Sequence, residues 1–127
     1  MRSKRLADMK KVDLYNYRAI VKAVYDGDTC TVDIDLGMKV WIHGEKLRLN
    51  RINTPELKGA DREAGVAAGE FLRSQIDGKE IFIETIKDRQ EKYGRYLAEI
   101  WLKDEQGEWI NINDLMVSRG HAVYKTY

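Results

Sequence analysis

The chain has 127 residues, of which 43% are hydrophobic, with one cysteine and a formal net charge of +1. That is enough apolar material for one globular domain with its own core, and it excludes an internal disulfide. Five of the 22 basic but one of the 21 acidic residues fall in residues 1–11, so residues 12–127 hold 17 basic and 20 acidic side chains, a net −3. This excludes a body that wraps a polyanion through its overall field. No apolar run reaches the length of a membrane span or of a secretion signal, so no membrane partner is expected and the compartment stays open, with cytoplasm as the default.

Residues 1–16 read as a basic, mobile arm and residues 17–127 as the folded domain. Tyr17 to Val24 is rich in β-formers, and Asp26-Gly27 supplies a hairpin turn. In the strand that follows, Cys30, Val32, Ile34 and Leu36 alternate with Thr29, Thr31, Asp33 and Asp35, a period of two. Gly37 closes it, and Val40 to Ile52 predicts a third strand, interrupted or bulged near His43-Gly44. The period then changes to helical over Asp61 to Ile76, with Ala64, Ala67, Ala68, Phe71, Leu72 and Ile76 on one stripe, Asp61 as N-cap and Asp77-Gly78 as stop. Lys79 to Ile86 and Arg95 to Leu102 read as two more strands joined by the charged segment Lys87 to Gly94. A short helix fits Ile112 to Arg119, entered through Asn111 and ended by Gly120, with Ile112, Leu115 and Met116 facing in. Five strands with a helix after the third and another after the fifth predict an α+β chain, mainly β, in the element order of a five-stranded OB-fold barrel with two helices.

Three segments carry candidate chemistry. In Asp26-Gly27-Asp28-Thr29, an acidic turn is ordinarily only a turn, but Asp28 shares the parity of Cys30, Val32 and Ile34. A carboxylate continuing an inward row is costly unless donors or a cation satisfy it, which favours a hard metal ion. The run Leu47-Arg48-Leu49-Asn50-Arg51-Ile52-Asn53-Thr54-Pro55-Glu56 ends a strand at the chain's only proline. Asn53, Thr54 and Glu56 offer a density of oxygens suited to a calcium-like ion, or else form a polar loop. Arg48 supplies a fork that grips either a phosphate or a structural carboxylate. In Lys92-Tyr93-Gly94-Arg95 the glycine permits a tight turn that starts a strand at Arg95 and offers the Tyr93 ring for base stacking or for partial burial. The closing Tyr124-Lys125-Thr126-Tyr127 repeats the aromatic and basic interleaving, as a frayed terminus also does.

In this order and spacing, the chain resembles the staphylococcal-nuclease-like (thermonuclease) family over approximately Tyr17 to Tyr124. The segments that carry the resemblance are Asp26-Gly27-Asp28-Thr29, Leu47-Arg48 through Thr54-Pro55-Glu56, Lys92-Tyr93-Gly94-Arg95 and the helix Ile112 to Gly120. The resemblance implies an OB-fold barrel that cleaves DNA and RNA with calcium, releasing the 5′ oxygen and leaving 3′-phosphates. It also implies Asp28 and the Thr54 carbonyl as calcium ligands, with Asn53 where the family most often has an aspartate. Glu56 is then expected to position or deprotonate water, Arg48 and Arg95 to hold the phosphate, and Lys92 and Tyr93 to contact a neighbouring phosphate or base.

Three departures bear on these expectations. Asn53 removes a formal charge from the metal site, which lowers the expected calcium affinity. The stretch Leu57 to Arg62 is short for a loop that often carries extra lysines. The sequence ends at Tyr127, before the third helix common in the family, which leaves a monomer or a weak homodimer as the expected state. Three functions stay compatible with the residues: a metal-dependent nuclease, a non-catalytic OB-fold module for single-stranded nucleic acid, and a structural domain in which Glu56 pairs with an arginine.

Overall fold

The computed structural model describes residues 14–90 and 92–126, the side chains of residues 87–89 excepted. Residues 1–13 of the basic arm, and Tyr127, lie outside the described residues. Three antiparallel strands come first: β1 (Asn16–Asp26), β2 (Thr29–Gly37) and β3 (Val40–Leu49). They curl because the β2–β3 register slips between Val32 and Ile34, opposite the expected bulge, where Gly44 takes a left-handed φ of 73°. β5 (Glu80–Gln90) pairs with β1, and β6 (Tyr96–Lys103) pairs with β5. The barrel then closes through a short parallel ladder that matches Leu47, Arg48 and Leu49 with Tyr96, Leu97 and Ala98. The five strands enclose Val21, Cys30, Val32, Leu47, Leu49, Ile81, Ile83 and Ile100, all at most 1% exposed. Burial pushes the Cys30 thiol up to about 12, so it behaves as a small apolar side chain.

The expected α+β barrel with two helices is present, and several details differ. The third strand ends at Leu49, because Arg51 adopts a φ of 68° and breaks the ladder. A two-residue β4 (Ile52–Asn53) follows and pairs with β8 (Val123–Tyr124). β7 (Trp109–Asn111) adds to the edge of β6. The strand expected to stop at Ile86 continues to Gln90, taking in the first half of the charged segment. Tyr124 and Lys125 are paired rather than frayed, with the Lys125 amide donating to the Arg51 carbonyl at 2.7 Å. Exposed Leu36, Met38, Val40 and Ile42 cluster around the β2–β3 turn.

The first helix, α1 (Arg62–Ile76), follows a 3-10 turn at Gly59–Asp61. Asp61 stands at its N-cap, yet its side chain makes no capping bond. The buried stripe is Gly65, Ala68, Gly69, Leu72 and Ile76, whereas Ala64 and Ala67 are exposed. The reason is close approach. A Cβ on Gly65 would lie 2.5 Å from the Glu56 carbonyl oxygen, and one on Gly27 would lie 2.7 Å from the Ala68 Cβ and 2.9 Å from the Thr54 Cγ2. The helix thus rests directly on the β1–β2 turn and on the loop after β4, the two segments that carry Asp28 and Glu56. Gly65→Ala is therefore expected to cost about 1–2 kcal/mol net, overpacking outweighing the gain in helix propensity, and to displace the Glu56 loop. Chemical denaturation and a crystal structure of the variant check both.

The second helix, α2 (Ile112–Ser118), is capped by the Asn111 side chain, which accepts from the Asp114 amide at 2.8 Å. It buries Ile112, Asn113 and Met116 against the barrel. Asn113 replaces Leu115 as the third inward residue, and its amide works as a clasp. It accepts from the Ile100 amide at 3.0 Å and donates to the Ala98 and Asn50 carbonyls, each at 2.9 Å.

Candidate active site

The turn between β1 and β2 sets Asp28 at one end of the barrel, 7% exposed. Its Oδ2 accepts from the Thr54 hydroxyl at 2.8 Å and the Thr54 amide at 3.3 Å, and its Oδ1 accepts from the Thr29 hydroxyl at 3.2 Å. The costly inward carboxylate is met by donors and by one cation, because Arg48 Nη2 lies 3.2 Å from Asp28 Oδ2. Arg48, 6% exposed, also donates through Nη1 to the Leu49 and Ile52 carbonyls at 2.9 and 3.1 Å, and through Nη2 to Asn53 Oδ1 at 3.2 Å. The fork expected to grip phosphate is thus engaged with a structural carboxylate and with backbone.

Asp28 Oδ2 and Asn53 Oδ1 converge on one nitrogen, each 3.2 Å from it. Two oxygens aimed at one point of positive charge suit a hard cation, and they fall short of the six to eight that a calcium ion takes. Among the described residues no group of three or more His, Cys, Asp and Glu side chains is placed to hold a metal. The two oxygens are of the kind that ligate a hard divalent ion, and Arg48 Nη2 stands at the point between them.

Asp26 stands beside this pair and accepts from the Asp28 amide at 3.1 Å. Burial, then the neighbouring charge of Asp28, push its carboxyl from 3.8 up to about 6. The folded chain therefore holds this proton more tightly than the unfolded one. Its contribution to stability is full below pH 3.8 and is lost as pH rises through about 6. In cation-free protein, Asp26→Asn is expected to gain stability relative to the parent over that window, as read by urea titrations at a series of pH values.

Arg95 approaches from the loop before β6. Its Nη1 donates to the Thr29 hydroxyl at 2.7 Å, and Thr29 is the cross-strand partner of Arg48. A chain of contacts from Arg95 through the Thr29 hydroxyl to Asp28, and from Asp28 to Arg48, links the two guanidinium groups. Tyr93 is 72% exposed, so the partly buried alternative does not hold, and Lys92 Nζ and Arg95 Cζ lie 5.0 and 5.3 Å from its ring centroid. Glu56 is open to solvent, its side chain 70% exposed, and its ion pair is with Lys58 at 3.8 Å rather than with an arginine. It lines a pocket of about 390 Å³ together with Asn53, Thr54, Asp61 and His121.

A network not anticipated from the sequence supports the Asn53 strand. Arg51 donates to Glu99 through Nε at 2.9 Å and Nη2 at 2.7 Å and pairs with Asp114 at 3.0 Å. Asn50 and Asn111 donate to the same Glu99, which is 7% exposed. The Tyr124 hydroxyl donates to Asp114 at 2.9 Å. A buried glutamate with four donors holds the strained Arg51 backbone, and with it the start of β4.

The family described as staphylococcal nuclease homologue matches residues 46–127. The chain belongs to the staphylococcal nuclease family. The match runs from β3 through the seam to the end of the chain and so includes Arg48, Glu56 and Arg95. Among curated proteins of this kind, the thermonuclease of Staphylococcus intermedius is 34% identical over 89 residues, covering 68% of this chain and 49% of that protein. The thermonuclease of Staphylococcus hyicus is 28% identical over 124 residues, covering 95% of this chain and 66% of that protein. An uncharacterized protein of Methanocaldococcus jannaschii is 28% identical over 127 aligned residues, covering 84% of this chain and 58% of its own length. This nuclease-family chain thus spans between about half and two thirds of the length of the relatives it matches.

Proposed function

We propose that this chain is a metal-dependent nuclease, with calcium as its cation, that hydrolyses phosphodiester bonds of DNA, RNA or both with little sequence specificity and leaves 3′-phosphates. The observation that carries this reading is the linkage of Arg95 to Arg48 through Thr29 and Asp28 at the end of the barrel, with the solvent-facing carboxylate of Glu56 on the adjoining loop. An anion at the seam meets the Arg95 guanidinium, and the Arg48 fork turns to it when the cation takes over Asp28 and Asn53, so that both stabilise charge as the phosphorus becomes five-coordinate. Glu56 takes a proton from the attacking water as the water oxygen bonds to phosphorus, the bond to the 5′ oxygen breaks, and that oxygen takes up a proton from solvent. Asp28, Asn53 and the Thr54 carbonyl would hold the cation, which supplies Lewis-acid stabilisation of the phosphoryl oxygen when bound. Lys92 and Tyr93 contact the neighbouring phosphate or base.

A structural role is disfavoured by Glu56, because a carboxylate meant for an internal network would not be left facing water. Incubation of the pure chain with DNA and with RNA is expected to give fragments ending in 3′-phosphate in calcium and none in chelator. A mobility shift without cutting would instead identify a binding module. Restoring the second carboxylate with Asn53→Asp is expected to tighten calcium binding by roughly tenfold, read by calorimetry.

A further inference from the structure

We infer that the hollow flanked by Tyr25 and Tyr93 is a subsite for a nucleobase adjoining the phosphate, an assignment that rests on the nuclease reading for the place of that phosphate. The hollow has a volume of about 460 Å³, within the range of small-ligand sites. Its floor is built where Ala23 pairs with Thr31, two small side chains that leave room above the sheet, and Lys46, the next residue in that transverse row, bounds it. Tyr25 and Tyr93 line it, both 72% exposed. Its charged lining is Lys46 and Arg95, both positive. A floor of Ala23 and Thr31 bounded by Lys46, two solvent-exposed tyrosines and a lining with no acidic side chain match a flat heterocycle tethered to a phosphate.

Position gives the second argument. Thr31 lies two residues beyond Thr29 on the same face of β2, and Arg95 donates to Thr29. The floor therefore begins one strand repeat, about 7 Å, from the Thr29 that anchors the Arg95 guanidinium, a spacing comparable to that of a nucleoside from its phosphate. Tyr25 also lines the neighbouring depression with Asp26 and Glu56, and Glu56 in turn lines the pocket with Asn53 and His121. Three depressions linked through shared residues form a track that crosses the candidate catalytic groups, as an extended strand requires.

The test reads binding separately from cutting. In a Glu56→Gln background with calcium, fluorescein-labelled tetrathymidylate is titrated beside analogues carrying one abasic residue at each position. The intact oligonucleotide is expected to bind about tenfold more tightly than one of the abasic analogues. Adding Tyr25→Ala should reduce that preference to within twofold, and Tyr25→Phe should keep it. The proposal is overturned if tetrathymidylate fails to bind, if no abasic position weakens binding, or if Tyr25→Ala leaves the preference intact or weakens every ligand equally. Cleavage by the parent chain is scored independently. A Tyr25-dependent preference without cutting supports the subsite and rejects the nuclease, and cutting without that preference does the reverse.

Discussion

Arg95→Ala is expected to lower the turnover of DNA or RNA by about 100-fold or more, the scale of losing one preorganised donor to a developing oxyanion. Arg95 is held by the Thr29 hydroxyl at 2.7 Å on a strand whose cross-strand neighbour is Arg48, so its charge is aimed before any substrate arrives. Arg48 cannot take its place, because its Nη1 is engaged with two backbone carbonyls. The loss should lie in turnover more than in KM, since an interaction that strengthens with transition-state charge adds little to ground-state binding. Steady-state kinetics under saturating calcium decide the matter, and full activity in the variant would refute the proposed mechanism.

The largest expected effect on stability falls at a residue that touches no substrate. Asn113→Leu keeps roughly the volume of the side chain and removes its hydrogen bonds. The Ile100 amide and the Asn50 carbonyl lose the bonds that Asn113 makes to them, whereas the Ala98 carbonyl still accepts from the Asn50 amide at 2.9 Å. At 1–3 kcal/mol for each buried group left unmet, the variant should lose about 3 kcal/mol, and its Tm should fall by roughly 10 °C or more. Urea unfolding with an unchanged m-value would assign the loss to the folded state, and a loss below about 1 kcal/mol would contradict the clasp.

Much of this was legible because it depends on short-range pattern. The parity of Asp28 with Cys30, Val32 and Ile34 placed a carboxylate on the inward row, and the structure buries it there. His43-Gly44 marked the bulge from glycine alone. What escaped is set by distant contacts. Hydrophobicity selects Ala64 and Ala67 for the helix stripe, yet the inward positions include Gly65 and Gly69; at Gly65 the Glu56 backbone passes too close for a side chain, whereas at Gly69 a Cβ would meet the Asp26 backbone at an ordinary contact of 3.4 Å. Two- and three-residue strands such as β4, β7 and β8 hold less than a full period of any pattern. Arg51 gave no sign of a left-handed backbone, since its compensation lies in Glu99, 48 residues away. The one available hint was an outward-parity glutamate within an otherwise hydrophobic strand, Tyr96–Lys103.

The parallel seam has a consequence for how this protein comes into being. Arg48 and Arg95 come to the same end of the barrel because three residues of β3 lie beside three residues of β6, and the chain between them includes all of α1 and β5. A junction that spans so much sequence must offset the entropy of closing a long loop before its contacts return anything, which slows folding. Neither half of the chain can bring Arg48 and Arg95 to the seam by itself. Nascent chains and proteolytic fragments should therefore be inert toward nucleic acid, and competence should appear in one step, when the last wall of the barrel comes into place.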